Sequence, residues 1–183
     1  MVTTRGSSTS TSPGEANQSG HNQSRQDEQS ARDALIGGLD VEARRRGRVL
    51  ALQTLYEADT AKHPAGTVFE RLAREEERDE ESIAFGRRLV TGVVENARPI
   101  DDLLQDAAPA WPLNQMPGVD KALLRLAIFE AIFDNSAAPA KVIIGEAVDL
   151  AKGFGSESSA KLVTGVMGTV VSRASPRQEH REA

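Results

Sequence analysis

The stretch Val119-Asp120-Lys121-Ala122-Leu123-Leu124-Arg125-Leu126-Ala127-Ile128-Phe129-Glu130-Ala131-Ile132-Phe133 decides the fold. Its leucines, isoleucines, phenylalanines and alanines fall almost all round a 3.6-residue repeat, so a helix here has little solvated face. Such a helix belongs at the centre of a bundle, with other helices packed around it. Beyond its first turn, Arg125 and Glu130 stand as charges inside it. Charges in an apolar setting need partners. Being five apart, they are expected to pair with other helices rather than each other, and Glu146 is a candidate partner for Arg125.

On either side of this hub the spacing stays helical and gives almost no strand signal. Helices are expected over Glu42 to Asp59, Thr67 to Arg74, Asp79 to Ala97 and Pro99 to Ala108 before the hub, and over Pro139 to Lys152 and Ser156 to Arg173 after it. Asp79 suits an N-cap, with acids following it in the first turn. Val142-Ile143-Ile144 alone could be a strand, but Ala147, Val148 and Ala151 continue the helical spacing. Gly165 and Gly168 are read as near the packing side of the last helix, where they would permit close approach of a neighbour. The expected fold is all-α, about seven helices with short connections.

Residues 1–40 read as a disordered tail, since Gly-Ser-Thr-rich and Asn-Gln-rich runs bury too little apolar surface to offset their ordering entropy. Residues 174–183 read the same way, leaving 41–173 as the one folded domain. No leader-like or membrane-spanning apolar run is present, so a cytoplasmic location with no membrane partner is expected. The chain of 183 residues has no cysteine, which excludes disulfides, Cys-ligated metals and thiol nucleophiles. Its three histidines, His21, His63 and His180, lie far apart. Neither a metal site nor a catalytic triad is expected, and the chain is read as a non-enzyme with no cofactor and no small-molecule substrate.

The sharpest local feature is Arg44-Arg45-Arg46-Gly47-Arg48, where positive charge meets the start of the first helix. Guanidinium forks pair bidentately with phosphate, so the cluster suits RNA; a solvated helix start is the alternative. Positive charge there opposes the helix dipole, so the cluster is not placed for helix stability. Tyr56 on the same helix could stack on a base or be a half-buried core tyrosine. The run Glu75-Glu76-Glu77-Arg78-Asp79-Glu80-Glu81 reads as a solvated acidic face. The net charge of −5 argues against RNA when taken whole, but along the chain it resolves into a small basic patch on an acidic domain.

Several ordered motifs carry a resemblance. The arginine-rich start leads into Gln53-Thr54-Leu55-Tyr56-Glu57. Phe85-Gly86-Arg87-Arg88-Leu89-Val90-Thr91-Gly92-Val93, Ile100-Asp101-Asp102-Leu103-Leu104 and Trp111-Pro112-Leu113 follow. Then come the hub, Pro139-Ala140-Lys141-Val142-Ile143-Ile144-Gly145-Glu146-Ala147-Val148, and Leu162-Val163-Thr164-Gly165-Val166-Met167-Gly168. In this order and spacing, the chain resembles the bacterial NusB family of transcription antitermination factors over roughly residues 43–173.

The resemblance implies two packed helical subdomains that bind boxA-type single-stranded RNA from rRNA operon leaders together with the ribosomal protein NusE. It implies that this assembly joins the RNA polymerase antitermination complex and promotes read-through. By resemblance the RNA contacts map to Arg44, Arg45, Arg46, Arg48, Tyr56, Phe154, Ser158, Lys161 and Leu162, and the partner contacts to Tyr56 and Asp120. Gly145, Ser158, Leu162 and Thr164 depart from the usual family residues. The alternative is a protein-interaction module of the same fold with weak or lost RNA binding. The family's domain also occurs fused to rRNA cytosine methyltransferases, a reading against which the missing cysteines argue.

Overall fold

The computed structural model of the chain describes residues 40–75, 78–134 and 138–178, with side chains through residue 174. The expected tail over 1–40 lies outside this range except for Asp40, as do Glu76, Glu77 and residues 179–183. Residues 41–183 form one unit. Among the described residues seven helices follow one another. They are α1 over residues 40–61, α2 Ala65–Glu75, α3 Glu80–Glu95, α4 Ala97–Ala107, α5 Gly118–Ile128, α6 Ala140–Phe154 and α7 Ser159–Gln178. α5 continues into a π-helical turn, Phe129–Phe133.

Local chemistry sets the ends of these helices. α1 stops where Lys62 takes a left-handed backbone (φ 58°) and His63 N–H bonds back to Ala58 O at 3.2 Å, a Schellman closure on a residue other than glycine. α3 starts at Asp79, whose side chain accepts Ser82 N–H, as its acidic first turn suggests. Asn96 ends α3 and opens α4; its Nδ2 donates to Gly92 O at 2.8 Å. Pro99 fits the first turn of α4, where its missing N–H leaves no bond unmade. The segment over 142–144 is helix, in keeping with the continued spacing.

The hub is where the all-round apolar pattern places it. α5 packs against α3, α4, α6 and α7, and the π turn packs against α3, α6 and α7. Ala122, Leu123, Leu124, Leu126, Ala127 and Ile128 are buried along it. Fully burying each leucine contributes roughly 1.5–3 kcal/mol before entropic costs. α6 and α7 pack along each other beside the hub, while α2 lies on α3.

α1 and α3 cross through two glycines. A Cβ on Gly47 would stand 2.8 Å from Ser82 O, and one on Gly86 would stand 2.9 Å from Gly47 O. The two backbones therefore touch, and Arg44 and Arg48 on either side of this crossing lie over Phe85, the residue before Gly86.

Two expectations are corrected. Gly165 and Gly168 are exposed with nothing within 4 Å of where a Cβ would stand. Each lies one residue, about 100° of rotation, from the buried Val166 and Met167, so both face away from the packing side. Further, α7 runs past Arg173 to Gln178. The expected boundary follows the end of the apolar repeat, but a helical backbone can run on without apolar residues.

Candidate nucleic-acid interface

α1 enters the fold with its arginines first. Val41 and Glu42 are exposed, whereas Leu50 and Ala51 are fully buried. Depth along the axis therefore decides what each guanidinium meets. Arg45 is exposed and makes no ion pair among the described residues. Arg46 is half-buried and reaches the cap of α3. Its Nη2 lies 2.9 Å from Asp79 Oδ2, and its Nε donates to that oxygen at 3.0 Å and to Ser82 Oγ at 3.3 Å. Asp79 in turn accepts Ser82 N–H at 2.8 Å and the Ser82 hydroxyl at 2.6 Å. Those bonds from Ser82, assisted by Arg46, hold its carboxyl at about 2, below the usual 3.8.

Arg48 overturns one expectation. It is only 5% exposed, one turn deeper than Arg45. Its Nε lies 3.0 and 3.2 Å from the two Glu130 oxygens, and its Nη2 lies 2.5 Å from Glu130 Oε1. Its Nη1 is 3.4 Å from Glu146 Oε2. The fork is spent on the π turn and α6, out of reach of an RNA phosphate. A buried guanidinium without such partners would cost several kcal/mol, so this arginine is a tie between elements. The same geometry corrects the pairing of Arg125, which binds Asp101 of α4 through two bonds of 2.7 and 2.8 Å, while Glu146 serves Arg48.

Phe85 is the aromatic centre of this region. The guanidinium carbons of Arg44, Arg48 and Arg88 lie 5.8, 5.4 and 5.0 Å from its ring centroid, within cation–π range. Phe85 and Arg88 lie inside one sequence motif, which by itself gives neither a site role. Their i, i+3 spacing on α3 is the signal that could have joined them.

Tyr56 is 40% exposed, not a core residue. Eleven positions from Arg45, it lies on the same side of α1, about 17 Å along the axis. Its ring covers Gly118 at the start of α5. Beside it Lys121 Nζ meets Asp59 Oδ2 at 2.7 Å, a bond that holds the Asp59 carboxyl below its usual value. Asp120 is corrected: it is 2% exposed, turned inward in the first turn of α5, and its Oδ1 has no hydrogen-bond partner among the described residues. It cannot itself contact a docked protein.

The α6–α7 junction forms a second group. Phe154 at the end of α6 is 42% exposed. Ser156 N–H donates to Ser159 Oγ at 2.8 Å, and the Ser156 and Ser158 hydroxyls are 3.1 Å apart. Ser158 and Lys161 are exposed, and Lys161 has no ion pair among the described residues. Leu162 is half-buried and packs in part against the hydrophobic core. Phe154 lies eight positions along α6 from Glu146, about 12 Å from the residue that Arg48 reaches.

Known proteins share this fold. The NusB family profile matches residues 45–172. The transcription antitermination protein NusB of Roseiflexus castenholzii is 50% identical over 137 residues, covering 74% of this chain and 96% of that protein. The structure of T. maritima NusB superposes with a TM-score of 0.68 at 30% identity, over 75% of this chain and 96% of that one. A chain in the crystal structure of antitermination factors NusB and NusE in complex with dsRNA superposes with a TM-score of 0.65 at 22% identity, over 72% of this chain and 98% of its own; at that identity the likeness concerns the fold. With the family profile spanning the helices from α1 to α7 and half of the aligned residues identical to a curated member, this chain belongs to the NusB family.

Proposed function

We propose that this protein is a transcription antitermination factor that binds boxA-type single-stranded RNA of rRNA operon leaders together with the ribosomal protein NusE, and through that assembly helps RNA polymerase read through terminators. The observation that carries the reading is the outward start of α1, where Arg45 is exposed and has no ion pair among the described residues, on the same helix face as the exposed ring of Tyr56. An unpaired guanidinium and an aromatic face are what a single strand needs, one for phosphate and one for a base. Arg44 and Arg46 flank Arg45, and Phe154, Ser158 and Lys161 form a second contact group at the α6–α7 junction. Tyr56 also serves the edge that meets NusE.

The basic patch is small and the chain carries a net charge of −5, so affinity for RNA alone is weak and the partner supplies the rest. The test is a titration of labelled boxA RNA with and without NusE. Tighter binding with NusE supports the reading. If Arg44, Arg45, Arg46 and Lys161 each neutralise one phosphate, log K against log salt has a slope of about −3. NusE binding with no RNA binding under either condition would favour a protein-interaction module instead.

A further inference from the structure

Gly118 opens α5 against the ring of Tyr56. Nothing in its backbone calls for glycine, since no described glycine has a positive φ. Glycine also has the lower helix propensity, by about 1 kcal/mol against alanine in a helix interior. The space around it gives the reason. A Cβ at Gly118 would stand 3.1 Å from Tyr56 Cε2 and 3.4 Å from Cδ2, closer than two carbons settle without strain. The next neighbour is Thr60 Oγ1 at 3.8 Å, one turn beyond Tyr56 on the same side of α1. The start of α5 therefore meets the ring along its Cδ2–Cε2 edge, while the rest of the ring stays open to solvent. One turn further along both helices, Lys121 Nζ bonds Asp59 Oδ2 at 2.7 Å. Asp59 is three residues from Tyr56 and Lys121 three from Gly118, so the bridge and the ring contact lie side by side and hold the two helices in register.

We infer that Gly118 is a positioning residue for RNA recognition: lacking a side chain, it lets the Tyr56 ring rest by one edge against the start of α5, and the Asp59–Lys121 bridge keeps that contact closed, so the ring is presented in one orientation for a base to stack on. This rests on the RNA reading above. A ring already held along one edge loses less freedom when a base arrives than one that turns about its Cα–Cβ bond. Stacking neutralises no phosphate, so this contact adds affinity without adding to the salt dependence that the arginines create.

The test uses the full chain, saturated with NusE, and a single-stranded boxA RNA oligonucleotide across a salt series, with NusE affinity measured separately. Tyr56→Leu is expected to weaken RNA binding about tenfold, within the range of one base–aromatic stack, and to leave the log K–log salt slope unchanged. Gly118→Ala is expected to weaken it about threefold with slope and unfolding stability unchanged, and to have no effect in the Tyr56→Leu background, because it acts through the ring. Tyr56 is the one tyrosine of the chain, so fluorotyrosine labelling gives a single fluorine NMR line. That line should shift when RNA is added, and Gly118→Ala should displace it before RNA is added; a line that stays in place in either case overturns the assignment. So does a Gly118→Ala chain that binds RNA as the unsubstituted one does, or that loses as much affinity in the Tyr56→Leu background. A loss of NusE affinity in Gly118→Ala with RNA affinity intact overturns it as well. Arg45→Ala is the control for the reading itself. If Arg45→Ala weakens binding while Tyr56→Leu and Gly118→Ala do not, the assignment of Gly118 falls and the RNA reading stands. If none of the three changes binding, the RNA reading falls too.

Discussion

The outer and inner faces of the arginine stretch use one residue type for opposite purposes. On the outer face Arg45 is exposed and without an ion pair among the described residues, and Arg46 leans on the cap of α3. On the inner face, one turn further along, Arg48 is buried against Glu130 and Glu146. A cluster read as one basic patch is therefore two devices in series. The inner arginine fixes α1 against the π turn and α6, and that fixed helix is what presents the outer ones. A guanidinium deep in the fold is costly to strip of its partner, whereas one at the rim is nearly free to remove.

The largest effect is expected at the inner face. Arg48→Ala or Glu130→Ala leaves the other charge buried without its partner and should cost about 3–5 kcal/mol in urea unfolding. Replacing both with apolar residues of similar volume should recover most of that loss. If either single substitution costs under about 1 kcal/mol, the inner pair does not tie α1 to the π turn.

Gly47 separates the two faces, and its Cβ position is filled by Ser82 O and Phe85. Gly47→Ala should force α1 from α3 and destabilise by about 1–3 kcal/mol. Because the shift moves the outer arginines too, RNA affinity should fall with stability. An alanine variant as stable as the unsubstituted chain would show that the crossing is looser than the distances imply.

At the outer face Asp79→Ala removes the α3 cap and the anchor of Arg46, and should cost about 1 kcal/mol at neutral pH. The Asp79 carboxyl sits at about 2 when folded, against 3.8 when unfolded. The folded state thus binds fewer protons between those values, so the stabilisation is fully present above about 4 and is lost as pH falls towards 2. The stability gap between the two chains should narrow across that interval. A gap independent of pH would mean that the carboxylate's charge plays no part. The smallest effect on stability is expected for Arg45→Ala, within about 0.5 kcal/mol, because the side chain is exposed and has no ion pair among the described residues.

The helical order was open to reading because it is local. The all-round apolar run at Val119 to Phe133 could only be a central helix, and the acids after Asp79 marked an N-terminus that the cap bond bears out. The pairing of charges was not local. Arg48 and Glu130 lie 82 positions apart, and Arg125 finds Asp101 on α4 rather than Glu146 on α6. Which carboxylate a buried arginine meets depends on how helices cross, and no spacing along one helix encodes that. The need for a partner was readable at Glu130, but its identity was not. The inward turn of Asp120 and the outward turn of Gly165 and Gly168 share that cause: a residue's face depends on where the neighbouring helices lie, and a shift of one position turns it by about 100°.

The most direct test of the division within the arginine stretch is the salt dependence of boxA RNA binding, with NusE present, for Arg45→Ala beside the unsubstituted chain. The account expects equal unfolding stability and a log K–log salt slope shallower by about 0.7. An unchanged slope at full stability would contradict it, since the exposed arginine would then be doing nothing for RNA.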